Sequence, residues 1–412
     1  MERIAVIGAG ISGLATANLL KDRYIVKVFE KEDTPGGLIR CRRINGSLFH
    51  ICGGHVFNSK RQDVLDWFWS HFDRDEEFRK AERNSVVVME NGAHIPYPFE
   101  NHFYLLEKRV QESIISDLLT LSKEGQELSS DNFEEFLKKR FGDTLYDLYF
   151  GPYNKKVWRR PLNKVPISWL EGKLPMPSVE EILYNNINHV EEKAFVHSSF
   201  WYEKEGGSQL IADRLARGLD ISYSCDISSL KYDGSHWTVA GEEFDAVVFC
   251  GNLKYLPGML EGVDISGYFG FIDSLEYHGT TAVLCNLDAN PYSWIYQPST
   301  NHESHRIICT GNFSPTNNAP GRMSGTVEFT DEISKEDILR NLRKMPFHPE
   351  YIAHNYSKYS YPIQDGGTRE TIASLKASLA SDRLYLTGRF ADWEYYNMDA
   401  AIGAAMDLCK NL

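Results

Sequence analysis

A short apolar strand runs straight into a glycine loop, Arg3-Ile4-Ala5-Val6-Ile7-Gly8-Ala9-Gly10-Ile11-Ser12-Gly13, and nothing else constrains this 412-residue chain as strongly. Gly8 permits a tight turn off the strand. Gly10 lets backbone approach a phosphate, and Gly13 lets the next helix pack against the sheet. The helix N-terminus then offers free N–H groups to an anion. The spacing predicts a helix over Leu14 to Leu20 and a second strand over Tyr24 to Phe29. That strand ends in Glu30, where an acceptor for ribose hydroxyls belongs, and an acid there favours a free 2′-hydroxyl over a 2′-phosphate. The fingerprint therefore expects an ADP-bearing dinucleotide.

A chain of this length exceeds one compact core, so two or three domains are expected. The formal net charge of −13 argues against nucleic acid or an anionic membrane surface as main partner. An anionic substrate then needs a locally basic pocket. No apolar run reaches the length of a membrane span, and Met1 leads directly into the first strand, so neither a membrane span nor a signal peptide is expected. The seven cysteines form no CxxC pair, which suits a reducing, cytoplasmic setting. The histidines show no HxH or HExxH spacing, so no metal site is expected. The 22 Tyr, 22 Phe and 8 Trp suit a pocket lined with flat rings.

Residues 1–60 read as β-α-β followed by two glycine-rich connections, Pro35-Gly36-Gly37 and Gly53-Gly54-His55. From about 104 to 195 the pattern is helical: Val110 to Leu121 has helical spacing, Asp131 can cap Phe133 to Phe141, and Thr144 to Tyr149 continues. Residues 200–255 return to α/β, with a helix after Gly206-Gly207-Ser208 and a hairpin around Asp233-Gly234. Tyr277 to Leu287, Trp294 to Tyr296 and Arg306 to Thr310 read as strands. The end is a strand, Leu384 to Thr387, then Gly388-Arg389, a loop and a helix from Ala400 to Leu408. The expected fold class is α/β: a discontinuous Rossmann-like domain (1–60, 196–275 and 373–412), a mainly helical insert (61–195) and a β-rich antiparallel insert (276–372).

Four stretches together resemble the flavin-dependent UDP-galactopyranose mutases, within the wider amine-oxidase and protoporphyrinogen-oxidase-like flavoproteins. They are the N-terminal fingerprint with Glu30 and Gly53-Gly54-His55-Val56-Phe57; Pro96-Tyr97-Pro98-Phe99-Glu100-Asn101; Gly151-Pro152-Tyr153-Asn154-Lys155-Lys156-Val157-Trp158; and Gly388-Arg389-Phe390-Ala391-Asp392-Trp393-Glu394-Tyr395-Tyr396-Asn397-Met398-Asp399. The resemblance runs through nearly the whole chain in the same order, and the last two stretches are the narrower signals. It implies FAD, held by Gly8, Gly10, Ile11, Ser12, Gly13, Glu30, Lys31, Gly37, Leu38, Gly54, His55, Ile227, Gly388, Arg389, Asn397, Met398 and Asp399. It implies a nucleotide sugar held by Tyr97, Phe99, Asn101, Tyr153, Trp158, Lys173, Tyr277, Asn312, Tyr361 and Tyr395. His55, Arg389, Tyr395, Trp158 and Lys173 are the implied catalytic residues.

Their own chemistry is compatible. Arg389 follows a strand and a glycine, so its planar fork reaches a cleft, although a surface or interdomain salt bridge would look the same in sequence. Tyr153 and Trp158, five apart on a helix, do not share a face closely. The cluster Lys155, Lys156, Arg159 and Arg160 reads equally as a solvated face or as diphosphate steering. The family's two clamp arginines have no direct counterparts where the resemblance places them. The first position holds Lys173, and the strand Thr281 to Asp288 carries no arginine. Either Arg306 takes the second role, or the substrate carries its charge elsewhere, as a deoxysugar or amino-sugar nucleotide.

The resemblance implies an interconversion of pyranose and furanose forms, in which reduced flavin N5 attacks the anomeric carbon without net redox change. It also implies a flavin reductant, NAD(P)H or a reductase, a lid over Asn163 to Pro177, and a homodimer as one arrangement. The alternative within the fold is an amine-oxidase-like or protoporphyrinogen-oxidase-like oxidoreductase. A catalytically idle flavin-binding subunit is a third reading, which the intact Gly-Arg and aromatic motifs disfavour.

Overall fold

Five parallel strands build the sheet that receives the glycine loop, in the order Leu384–Leu386, Ala246–Phe249, Arg3–Ile7, Ile25–Phe29 and Asp220–Ser222. The structure, a computed structural model, describes residues 1–124, 130, 132–167, 177–190 and 199–412. Alternation along the strands feeds two cores. Ile4, Val6, Val28 and Val248 face helices Ile11–Leu20, Gln209–Ala216 and Met398–Cys409. Ala5, Ile7, Val247 and Phe249 face helix Thr368–Ala380 and a small four-stranded sheet. Gly13 explains how the first helix lies so close: a Cβ there would stand 1.9 Å from the Gly8 carbonyl oxygen.

The second body is a seven-stranded sheet ordered Glu350–Pro362, Tyr277–Leu287, Met323–Thr330, Arg306–Ile308, Trp294–Tyr296, Ser85–Val88 and His94–Pro96. Its last two strands differ from the mainly helical expectation for 61–195. Ser85, Val86 and Val87 pair in parallel with Trp294, Ile295 and Tyr296, because the β-branched run 86–88 is buried on both sides. The third body is helical: Lys108–Glu124, Phe133–Phe141, Gly151–Trp158 and Val179–Asn188, around Phe99, Phe133, Leu137 and Tyr149. The cap of Phe133–Phe141 is Asn132, whose side chain accepts from the Glu135 amide at 3.0 Å. Asp131 lies outside the described residues.

The hairpin Cys41–Ile44 and Ser47–His50 is joined to the second body by a buried polar chain. Asn317 Nδ2 donates to Tyr202 Oη at 2.8 Å, which leaves the Tyr202 hydroxyl to donate to His50 Nε2 at 2.7 Å. Beside it, Glu203 is fully buried, and neither carboxyl oxygen has a partner from another residue among the described ones. Burial pushes its carboxyl up to about 8, outweighing contact with its own backbone amide. A folded-state value above the ordinary one means that stability is lost as pH rises from about 4.5 to about 8. Glu203→Gln should therefore raise the melting temperature more at pH 8 than at pH 5, with a gain on the order of 3 kcal/mol at pH 8. A gain that does not change between the two pH values would contradict this.

Candidate active site

Glycines bring three chain segments together at the carboxyl ends of the parallel strands. The Gly8 amide donates to the Phe29 carbonyl at 2.8 Å, and Gly10 bridges Gly36. Glu30, buried at the end of its strand, accepts from the Ala9 amide at 2.6 Å and the Glu32 amide at 2.9 Å. The loop carrying Ser222 and Cys225 bonds the Glu30 backbone, and Ile227 follows it into the core of the second face. Lys31 points outward beside them. Gly388, at φ +113°, meets the start of the first helix: a Cβ there would stand 3.1 Å from Ser12 Oγ. Gly8, Gly10, Gly13, Ser12, Glu30, Gly37 and Gly388 thus pack together at the strand ends.

A cavity of about 210 Å³ lies between the loops around Leu38, Gly53-Gly54 and Tyr395 to Asp399 and the seven-stranded sheet. Of the sequence-derived residues, Leu38, Gly54, His55, Tyr361, Arg389, Tyr395, Asn397, Met398 and Asp399 line it. Gly53 and Gly54 let the loop lie against the sheet, since Cβ atoms there would stand 2.2 Å from Glu328 Oε1 and 2.8 Å from Ile308 Cγ2. His55 contacts the Leu38 backbone, while its solvent-shielded Nε2 has no partner among the described residues. Burial, reinforced by Arg389, lowers its pKa to about 4, so the ring is neutral at pH 7.

Arg389 spreads its fork between two strand ends. It donates from Nη1 to the Ser360 carbonyl at 2.9 Å and from Nε to the Tyr396 carbonyl at 3.0 Å, and it lies 4.8 Å from the centre of the Tyr395 ring. Tyr395 in turn stacks on Tyr361 at 5.4 Å. Among these contacts Arg389 bonds backbone carbonyls and no carboxylate, unlike the surface or interdomain salt bridge that sequence also allows.

Arg306 is the second guanidinium on the cavity wall. Its Nε pairs with the buried Glu328, and its Nη2 donates to Tyr361 Oη at 3.2 Å. His305 Nε2 stands 3.5 Å from the same carboxylate. Burial would raise the Glu328 pKa, but Arg306 and His305 outweigh it and hold the carboxyl down at about 2. Of the two alternatives left by sequence, the structure therefore offers Arg306 in the cavity.

Other sequence-derived residues stand elsewhere. Tyr97 and Tyr153 contact Tyr296 at 5.0 and 5.6 Å, extending an aromatic wall beside the cavity. Trp158 packs on Phe133 and His278, facing away from Tyr153 as the five-residue spacing requires. Phe99 is core packing against Tyr149, and Asn101 is buried next to it. Tyr277 packs on Tyr359 at 4.4 Å and does not line the cavity. Asn312 does not line it either, because its amide is spent on the Asn290 and Tyr292 carbonyls at 2.8 and 2.7 Å. In the basic cluster, Lys156 bonds the Gln297 and Ser304 carbonyls, Arg159 pairs with Glu303 and Arg160 with Glu276. That favours neither sequence alternative: three of the four cations anchor the helix. Lys173 and most of the lid segment lie outside the described residues.

Cys52, Val56, Asn58, Trp294, Glu328 and Ser360 also line the cavity and were not found from sequence. Glu328 had one faint signal, an acid inside the apolar strand Thr326-Val327-Glu328-Phe329. Arg83, which lies over both Trp294 and Tyr97 and donates to Tyr296 Oη at 2.8 Å, had none.

This is a Rossmann-like dinucleotide-binding fold carrying a β-sheet body and a helical body, with the cavity where the first two meet. A family model described as NAD(P)-binding Rossmann-like domain matches residues 6–72. Across its length the chain is similar to UDP-galactopyranose mutase of Mycoplasma pneumoniae, 21% identical over 99% of this chain and 95% of that protein. It is equally similar to dTDP-fucopyranose mutase of Escherichia coli, 22% identical over 100% of this chain and 98% of the other. Among solved structures, reduced UDP-galactopyranose mutase superposes with a TM-score of 0.89 at 22% identity, covering 100% of this chain and 93% of that one. A protoporphyrinogen oxidase structure from Exiguobacterium sp. 255-15 superposes at 0.76 with 14% identity, covering 100% and 98%. At these identities the structural likeness establishes the fold.

Proposed function

We propose that the protein is an FAD-dependent mutase that interconverts pyranose and furanose forms of a nucleoside diphosphate hexose. The observation that carries this is the pair Arg306 and Arg389 on one cavity wall, directly beyond the dinucleotide cleft. Two guanidiniums facing a shared space suit a diphosphate ligand, which a protein of net charge −13 would otherwise repel. Relatives named for UDP-galactopyranose and dTDP-fucopyranose support the same substrate class.

The residues fit FAD. The close approach enforced at Gly13, the amide-lined turn at Gly8–Gly10 and the buried Glu30 suit its ADP half. The neutral His55, whose Nε2 has no partner among the described residues, and the Gly388 turn suit its ring system. When bound and reduced, FAD supplies a nucleophilic nitrogen for an anomeric carbon. The chain's own residues do the rest. Arg306 and Arg389 stabilise a departing diphosphate, the Tyr361–Tyr395 stack orients the ligand, and the cavity walls exclude water. Glu328 keeps Arg306 extended toward the cavity rather than toward solvent.

Denaturing the purified protein should release a yellow chromophore with the mass of FAD, and ring interconversion should appear only after the flavin is reduced. A colourless protein that takes up NAD, or full turnover with oxidised flavin, would overturn the proposal. The second reading, an oxidase, draws on the likeness to the protoporphyrinogen oxidase structure. It predicts peroxide release under oxygen.

A further inference from the structure

We propose that Asp392 is the positioning residue for Arg389: it holds both the turn that Arg389 leaves and the residue that receives its fork, and so sets the affinity of the cavity for a diphosphate. This rests on the mutase reading of the cavity. Arg389 and Tyr395 line the cavity, whereas Asp392 stands outside the lining. The segment that carries all three folds back on itself. The Asp392 amide donates to the Gly388 carbonyl at 2.8 Å, and the Gly388 amide donates in return to Asp392 Oδ2 at 3.1 Å. The exchange pins Gly388 at φ +113°, a conformation that a residue with a Cβ rarely adopts. It thereby fixes the direction in which Arg389 leaves the strand end.

The same carboxylate reaches the other end of the segment. The Tyr396 hydroxyl bonds Asp392, and the Tyr396 carbonyl accepts from Arg389 Nε at 3.0 Å. Asp392 therefore bonds the residue before Arg389 and the residue that Arg389 grips. A long side chain with many rotamers is left one direction in which to extend. Asp392 is 6% exposed, a depth at which a carboxylate needs donors and a counter-charge. Lys376, on helix Thr368–Ala380, supplies both at 2.6 Å from Oδ1, which leaves the positive charge of Arg389 to the cavity. Two further bonds tie the loop down independently of Asp392. The Trp393 indole donates to the Ile363 carbonyl at 3.0 Å, and the Gln364 amide donates to the Trp393 carbonyl at 2.9 Å. Variants at Asp392 are therefore expected to keep the loop in place while freeing Arg389.

A double-mutant cycle separates positioning from a general structural role. The titrant is UDP, measured by calorimetry on the purified protein, with melting temperature recorded for each variant. Asp392→Ala should weaken UDP binding about tenfold when Arg389 is present, and less than about twofold in an Arg389→Ala background, because Asp392 acts through that guanidinium. Asp392→Asn combined with Lys376→Met keeps an oxygen for the Gly388 amide and leaves no orphaned charge. It should bind within about threefold of wild type. Tyr396→Phe keeps the carbonyl that Arg389 grips and drops only the hydroxyl on Asp392. The same cycle with this variant, expected to lose about threefold with Arg389 present, carries the test if Asp392→Ala does not fold. Equal losses with and without Arg389 would make Asp392 a structural residue and overturn the inference, as would unchanged affinity in Asp392→Ala. Binding by the Asn/Met pair as weak as that of Asp392→Ala would assign the effect to lost charge and overturn it too. In each of these cases the wild type still binds UDP, and the mutase reading stands. Failure of the wild-type protein to bind either UDP or inorganic pyrophosphate would remove the mutase reading itself, and the inference with it.

Discussion

Arg306→Ala is expected to damage stability and ligand binding together, and by different routes. Glu328 is 1% exposed, and Arg306 is its principal counter-charge. Removing one partner of a buried pair leaves an uncompensated charge, which typically costs about 3–5 kcal/mol. The pH dependence should change in a defined sense. In the wild type the folded-state pKa of Glu328 is depressed to about 2, so its contribution is present above the ordinary carboxylate range and is lost only as pH falls toward about 2. In Arg306→Ala the largest lowering influence is lost, only His305 remains beside the carboxyl, and desolvation opposes ionisation of Glu328. Adding Glu328→Gln to Arg306→Met should recover most of the melting temperature, because an uncharged pair replaces the orphan. It should not recover UDP affinity, which falls by about 1.5–3 kcal/mol, or roughly ten- to hundredfold, when a charge-assisted contact is lost. Thermal melting and UDP titration of the single and double variants check both halves. A double variant that binds UDP normally would remove Arg306 from the ligand site.

Arg389→Ala is the second large effect. The guanidinium ties the Ser360 carbonyl, on the last long strand of the second sheet, to the Tyr396 carbonyl, on the loop after Gly388. It also supports Tyr395, which stacks on Tyr361. Its loss therefore unties the two bodies at the cavity and removes a cation from its wall. Activity should fall by roughly 2–4 kcal/mol in transition-state terms. Arg389→Lys should recover little, since an ammonium cannot span two carbonyls with a planar fork. The checks are kcat/KM together with the flavin absorbance spectrum and FAD content per chain. Activity within experimental error of wild type would make Arg389 a purely structural tie.

The parts that were legible in sequence are those where a local requirement fixes the residue type. Gly8, Gly10, Gly13 and Glu30 were readable because a turn, a close approach and an acceptor each demand one kind of side chain. Gly388-Arg389 was readable because a strand end followed by glycine positions the next side chain over a cleft. Long-range strand pairing within the seven-stranded sheet is not readable. Ser85–Val88 joins Trp294–Tyr296 across about two hundred intervening residues, and no local pattern specifies that partner. The strand Glu350–Pro362 has a blurred period in sequence because most of its residues are half-buried. Arg306 appeared in sequence only as a substitute for an arginine sought on Tyr277–Leu287. The fold brings it to the cavity from two strands away. Asn312 and Tyr277 stand outside the cavity lining, where the Asn312 amide donates to backbone carbonyls and Tyr277 packs on a neighbouring ring. Long-range register, rather than residue type, separates the two groups.

The most direct test of the central claim is product analysis with the flavin held in each redox state. The dithionite-reduced protein is incubated without oxygen with UDP-galactopyranose and, separately, with dTDP-linked 6-deoxy- and amino-hexopyranoses, and ring size is read by NMR. The account expects at least one pyranose to approach equilibrium with its furanose, with no net change in redox state and no turnover by the oxidised protein. Peroxide formation with an oxidised sugar product, or furanose formation at full rate by the oxidised protein, would contradict it.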